Sequence, residues 1–128
     1  MIFVSQSRSG GYIDDKTQKL FKQGNLYYAI AGRYTSAKLF LQWSQNRTKD
    51  QPKLEDDFEV IEIEKGKPFY YDKNLVKTPM SIPCTIGSGC HAAMAAMYLN
   101  HNAIEAVRVA KKIDECTGGK VQSFNIGI

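Results

Sequence analysis

No stretch of this chain stays apolar for more than a few residues, so neither a membrane-spanning helix nor the apolar region of a signal peptide can be placed in it. Met1-Ile2-Phe3-Val4 gives way at once to polar Ser5-Gln6-Ser7-Arg8, and a cytoplasmic protein without a membrane partner is expected. Cysteine is scarce and odd in number. Cys84, Cys90 and Cys116 lack CxxC spacing, which argues against a disulfide framework or a zinc ribbon and fits reduced, mostly buried thiols. With two histidines the chain has no recognisable metal-ligand spacing, so no metal and no cofactor is expected. A charge of one sign is lacking too. The formal net charge is +4, and acidic stretches such as Glu55-Asp56-Asp57 interrupt the basic residues. Tyr27, Tyr28, Phe69, Tyr70 and Tyr71 fall in strand-like segments where a core or edge role is the default, so no nucleic-acid partner is expected.

What is present suffices for one ordinary core: 128 residues, 43% hydrophobic and 11% aromatic, imply a single domain over residues 1–128. Residues 2–6 read as a short strand ended by Ser9-Gly10-Gly11. Residues 17–22 and 26–31 read as a hairpin around Gln23-Gly24-Asn25. Beyond Gly32, Thr35 or Ser36 can cap a helix whose buried stripe is Leu39, Phe40 and Trp43. Residues 48–52 form a loop. Residues 58–63, with apolar and acidic positions largely alternating, pair with residues 68–72 across Lys65-Gly66-Lys67.

Pro79 and Pro83 punctuate the way to a short strand, Cys84-Thr85-Ile86, which runs through Gly87-Ser88-Gly89 into an alanine-rich helix over residues 90–99. Asn102 and Glu105 have the spacing of a capping box, opening a second helix with Val107, Ala110 and Ile113 as its apolar stripe. Thr117-Gly118-Gly119 then introduces a final strand over residues 121–126. No repeat or low-complexity tract interrupts this order.

Thr85-Ile86-Gly87-Ser88-Gly89, the alanine-rich helix, Glu105-Ala106-Val107-Arg108 and Asp114-Glu115-Cys116-Thr117-Gly118-Gly119 together resemble the end of proteasome β-type subunits and bacterial HslV. Ser7-Arg8 before a glycine turn, the Lys-apolar-apolar strand beginning at Lys19, and the Ala-Gly ending of residues 26–32 fit upstream. The resemblance covers nearly the whole chain and is nearest to small proteasome-like proteins of phages and prophages, with Asp56 to Glu59 as their Asp-Asp-Phe-Glu-like strand. It implies an α/β (α+β) fold of four layers, αββα, with mainly antiparallel sheets, a shortened first helical layer and a missing first strand.

In that family an N-terminal threonine attacks an amide carbonyl, its own α-amino group serving as base, while a lysine lowers the local pKa and backbone N–H groups form the oxyanion hole. Position by position, the resemblance implies site roles for Lys19, Ser88, Asp114 and Thr117, with Gly87 and Gly89 of the turn as binding positions. Two departures stand out: Gln6 occupies the place of an aspartate and brings no negative charge to Lys19, and no Thr, Ser or Cys precedes the Ile2 strand as a nucleophile. Three functions follow as expectations: a non-catalytic homologue acting by binding or assembly; an active threonine-type peptidase or amidase with an upstream Thr-led strand; or a phage accessory protein binding a small ligand or host protein. A homo-oligomer and a peptide or protein ligand are the implied partners.

Ordinary roles are available for the same residues. Lys19 reads as a solvated hairpin lysine, Ser88 as a cap for the helix that follows it, Asp114 and His101 as helix-end residues. Gly-x-Ser-x-Gly spacing is absent, which excludes a nucleophile elbow. Cys90 and His91 diverge by about 100° on a helix and cannot act as nucleophile and base.

Overall fold

The computed structural model describes residues 2–4, 8–9, 12–13 and 19–114. Gln6, Cys116, Thr117 and the strand expected at residues 121–126 lie outside the described residues.

Two hairpins build the main sheet. β4 (Leu20–Gln23) and β5 (Leu26–Ala31) pair antiparallel, Gln23 opposite Leu26, and Gly24 takes the left-handed φ of +59° that the two-residue turn requires. β6 (Glu59–Glu64) and β7 (Lys67–Tyr71) close through Lys65 and Gly66, both at positive φ (51° and 77°), a combination whose twist matches that of the flanking strands. β5 also pairs with β6, and β8 (Thr78–Pro79) adds a short edge, giving the order β4-β5-β6-β7-β8. Pro79, expected only as punctuation, is tolerated there because an edge position needs no N–H for a further strand.

Each face of this sheet carries its own core. On one, Tyr28, Ile30, Val60 and Tyr71 meet Ala37, Phe40 and Trp43 of α1 (Tyr34–Gln45). Phe40 is fully buried at the centre, with the Tyr28 ring edge-on at 5.4 Å and the Phe58 and Tyr71 rings both at 5.6 Å. On the other face Ala29, Ala31 and Ile61 pack on Cys84 and Ile86 of β9 (Cys84–Ile86), the alanines allowing close approach.

β9 pairs in parallel with β1 (Ile2–Val4), so in the described residues this second layer is a parallel pair. β2 (Arg8–Ser9) and β3 (Tyr12–Ile13) form a separate small hairpin. Behind β1 and β9 lie α2 (Cys90–Tyr98) and α3 (Ala103–Ile113), joined through Ala93, Ala96, Met97, Ala106, Val107 and Ala110.

The capping box at α3 forms as expected: Asn102 Oδ1 accepts from Glu105 N–H at 2.9 Å, and Glu105 Oε1 accepts from Asn102 N–H at 3.0 Å. Two sequence expectations are corrected. Neither Thr35 nor Ser36 caps α1, because Gly32, at φ +118°, turns the chain so that the helix starts at Tyr34 with Arg33 as its N-cap, and Ser36 is instead buried. Leu39 is 42% exposed and Ile113 68% exposed, since the packed stripe of α1 runs through Ala37, Phe40 and Trp43 and that of α3 ends at Ala110. Glu62, on the same face of β6 as Val60, is completely buried.

Glu62 is held by charge. Arg47 donates to one carboxylate oxygen, and Lys77 (3.2 Å) and the Tyr71 hydroxyl (3.2 Å) donate to the other. Arg47 also reaches the hydroxyls of Tyr71 (2.6 Å) and Tyr28 (3.2 Å), and its guanidinium lies over the Trp43 ring. Burial would raise the Glu62 pKa, but the hydrogen bond and charge of Arg47, followed by those of Lys77, outweigh it and hold the value below normal.

Glu62→Ala should therefore cost about 2–3 kcal/mol of unfolding free energy in urea titrations, less than for a fully buried ion pair because both cations are partly solvated. A carboxylate whose folded pKa lies below its unfolded value adds stability above the unfolded value, here 4.5, and that stability is lost as the pH falls through the lowered one. Glu62→Gln should flatten this acid-side loss. An unchanged acid profile would show that Glu62 contributes nothing to it. Asn102→Ala should cost about 1 kcal/mol through loss of the cap, read from the same titrations.

Candidate functional site

Strand β9 ends at Ile86 because Gly87 takes φ +92°, a conformation open to glycine and strained for other residues. The Gly87 carbonyl accepts from Cys90 N–H (3.1 Å) and the Gly89 carbonyl from Ala93 N–H (3.0 Å), so the turn passes straight into α2. The N-cap of α2 is Gly89, with no side-chain cap. Ser88, expected as that cap, stands one residue too early. Its exposed hydroxyl donates instead to Asp114 Oδ2 at 2.6 Å, a charge-assisted bond spanning 26 residues of sequence. Asp114 is the C-cap residue of α3, where a negative charge opposes the helix dipole. Helix stability alone does not account for a carboxylate there.

Lys19 is not a solvated hairpin lysine. It is 5% exposed, and its ammonium donates to the Gly32 carbonyl at 2.9 Å. Its own carbonyl accepts from Ile30 N–H at 3.0 Å, extending the β4–β5 ladder by one residue. Gly32 is required at the other end of this contact: besides its positive φ, a Cβ there would stand 3.3 Å from the Phe58 Cα.

Sequence reasoning missed Glu59, the first residue of β6. Its Oε1 accepts from Gly87 N–H (3.2 Å) and its Oε2 from the Tyr70 hydroxyl (2.9 Å). Burial and then the neighbouring Glu59 push the Tyr70 pKa up to about 12. Glu59 pairs with Ala31, the residue before Gly32, so the Lys19 acceptor and the anchor of the Gly-Ser-Gly turn are adjacent in one ladder. The signal available in the sequence, an acidic residue opening an apolar strand, reads more simply as a solvent-facing position. The Gly87 N–H is thus engaged by Glu59, and Gly89 is buried.

The remaining reactive groups stand apart. The Cys84 thiol is buried and its pKa raised by that burial, which keeps it protonated and inert. His91 is exposed, and the exposed His101 faces Glu105 at 3.3 Å. Among the described residues no group of three or more His, Cys, Asp or Glu is placed to hold a metal, and no helix is long and apolar enough to cross a membrane.

No protein-family model and no curated protein sequence matches the chain. Solved structures do. BPH of Thiobacillus denitrificans in complex with epoxomicin is 20% identical, with a TM-score of 0.64 over 95% of this chain and 88% of that one. A second structure of Thiobacillus denitrificans BPH, also 20% identical, gives a TM-score of 0.63 over 94% of this chain and 88% of that one. Eukaryotic HslV from Trypanosoma brucei is 15% identical, with a TM-score of 0.66 over 90% of this chain and 86% of that one. At these identities the likeness is one of fold: the α+β arrangement, with its five-stranded antiparallel sheet and three helices, follows the BPH and HslV structures over most of the chain.

The Ser88–Asp114 bond yields a direct expectation. A double-mutant cycle of Ser88→Ala and Asp114→Ala, measured by urea unfolding, should give a coupling of about 1 kcal/mol. Strict additivity would mean that the two side chains do not interact in solution.

Proposed function

We propose that this chain is a proteasome/HslV-like N-terminal-nucleophile hydrolase homologue, of four-layer αββα type with a shortened first helical layer, that binds extended peptide without cleaving it. The observation that carries this reading is the Ser88–Asp114 hydrogen bond, in which two positions matched to the family's site are joined across 26 residues. The buried Lys19 ammonium, held beside the sheet end that anchors the same turn, supports it. In such a site Lys19 would supply positive charge near a bound carbonyl, and Ser88 with Asp114 would orient the ligand's polar end. Gln6 argues for binding over turnover, since an amide stands where the family usually has an aspartate. Thr117 is the fourth matched position.

A second reading, an active threonine-type peptidase whose nucleophile lies on a strand ahead of Met1, is favoured by the burial of Lys19, because a desolvated cation is the means of activating such a nucleophile. Epoxomicin separates the two, having been captured in the Thiobacillus denitrificans structure. Under the binding reading the native protein is expected to retain peptide epoxyketone reversibly, with unchanged intact mass and no turnover of fluorogenic peptides. A covalent adduct or measurable hydrolysis would establish the second reading.

Self-association belongs to the same proposal. Tyr98 and Leu99, at the end of α2, are 73% and 74% exposed, an apolar surface suited to a second copy. Light scattering should report a species larger than the 14.4 kDa chain, and Leu99→Lys should shift it toward monomer. A monomer at high concentration would defeat the assembly part alone.

A further inference from the structure

Strand β6 carries a glutamate toward each face of the sheet. Glu62, beside Tyr28 and Tyr71, has two cations and a place in the core. Glu59 leaves on the opposite side, the side of Ile61 and β9, where its two oxygens accept from neutral donors: the Gly87 N–H and the Tyr70 hydroxyl. A hydrophobic residue would serve sheet packing at this position at least as well. What a hydrophobic residue could not do is hold a main-chain N–H that lies 28 residues away in the sequence.

The turn is pinned on both sides of Gly87. Its carbonyl is tied to Cys90 N–H, at the start of α2, and its N–H to Glu59. Tyr70, from β7, engages the second carboxylate oxygen and so restricts the Glu59 rotamer. Ser88 follows immediately, and the direction of its hydroxyl toward Asp114 depends on how the peptide plane at Gly87 is set. We propose that Glu59 is a positioning residue of the candidate site: it fixes the Gly87-Ser88-Gly89 turn against the sheet and thereby aligns Ser88 with Asp114. The ligand arm of the test below rests on the peptide-binding reading; the structural arm does not.

Amide hydrogen exchange measured residue by residue supplies the structural arm. In the native chain the Gly87 amide should be protected. Glu59→Ala should speed its exchange at least tenfold while the amides of Val60 and Ile61 keep their rates, a pattern that general loosening of β6 cannot produce. Glu59→Gln retains a carbonyl oxygen to accept from Gly87 and should restore most of the protection. Tyr70→Phe should give an intermediate rate. For the ligand arm, affinity for a peptide epoxyketone, measured by calorimetry, should fall at least tenfold in Glu59→Ala and recover in Glu59→Gln. Unchanged Gly87 exchange in Glu59→Ala overturns the proposal, as does unchanged affinity alongside lost protection. If the native chain binds no peptide, the preceding functional reading fails, and the Gly87 exchange rates still decide whether Glu59 positions the turn.

Discussion

A strand covered on both faces has little solvent to offer a carboxylate, and β6 carries Glu62, fully buried, toward one face and Glu59, partly buried, toward the other. Much of the local architecture follows from how they are satisfied. On the face toward α1, the Glu62 charge is met by Arg47, from the end of the helix, and by Lys77, from the segment leading to the edge strand. Three separated parts of the chain are therefore fastened at one buried point, where the loss of any partner leaves a charge exposed to low dielectric. On the opposite face, Glu59 meets neutral donors and fastens the turn between β9 and α2. The same strand thus links the helical layer on one side to the candidate site on the other.

The candidate positions stand at the ends of elements. Lys19 precedes β4, Gly32 follows β5, Glu59 opens β6, Ser88 lies between β9 and α2, and Asp114 closes α3. Ends of elements are where backbone groups lack ladder or helix partners, and side chains placed there can bond across the fold. The Ser88–Asp114 pair shows the consequence: a serine that could have capped a helix, and an aspartate placed against a helix dipole, bond to each other.

Features governed by near neighbours were legible in the chain. The hairpin turns at Gly24 and at Lys65-Gly66 depend on backbone conformations available to a few residue types. The Asn102–Glu105 capping box depends on a three-residue spacing, and it forms as that spacing implies. Lys19, Ser88 and Asp114 were legible as candidates through family resemblance, although not through their own surroundings. Glu59 was not legible at all, since its partners Tyr70 and Gly87 come from other strands and turns. The burial of Glu62 ran against its own pattern, because alternation in a strand shows which side a residue faces and not what covers that side.

By itself, then, the order of residues determined both long hairpins, the three helices, the short strand before the second of them and a set of candidate positions, because short-range sterics and hydrogen bonding act between residues a few places apart. Only the tertiary structure decided that Leu39 and Ile113 face outward, that Lys19 is buried on the Gly32 carbonyl, that Gly87 bonds to Glu59 and that Ser88 turns from its helix to Asp114. Exposure and charge pairing depend on which elements become neighbours, and that is settled when the two faces of the central sheet are covered together.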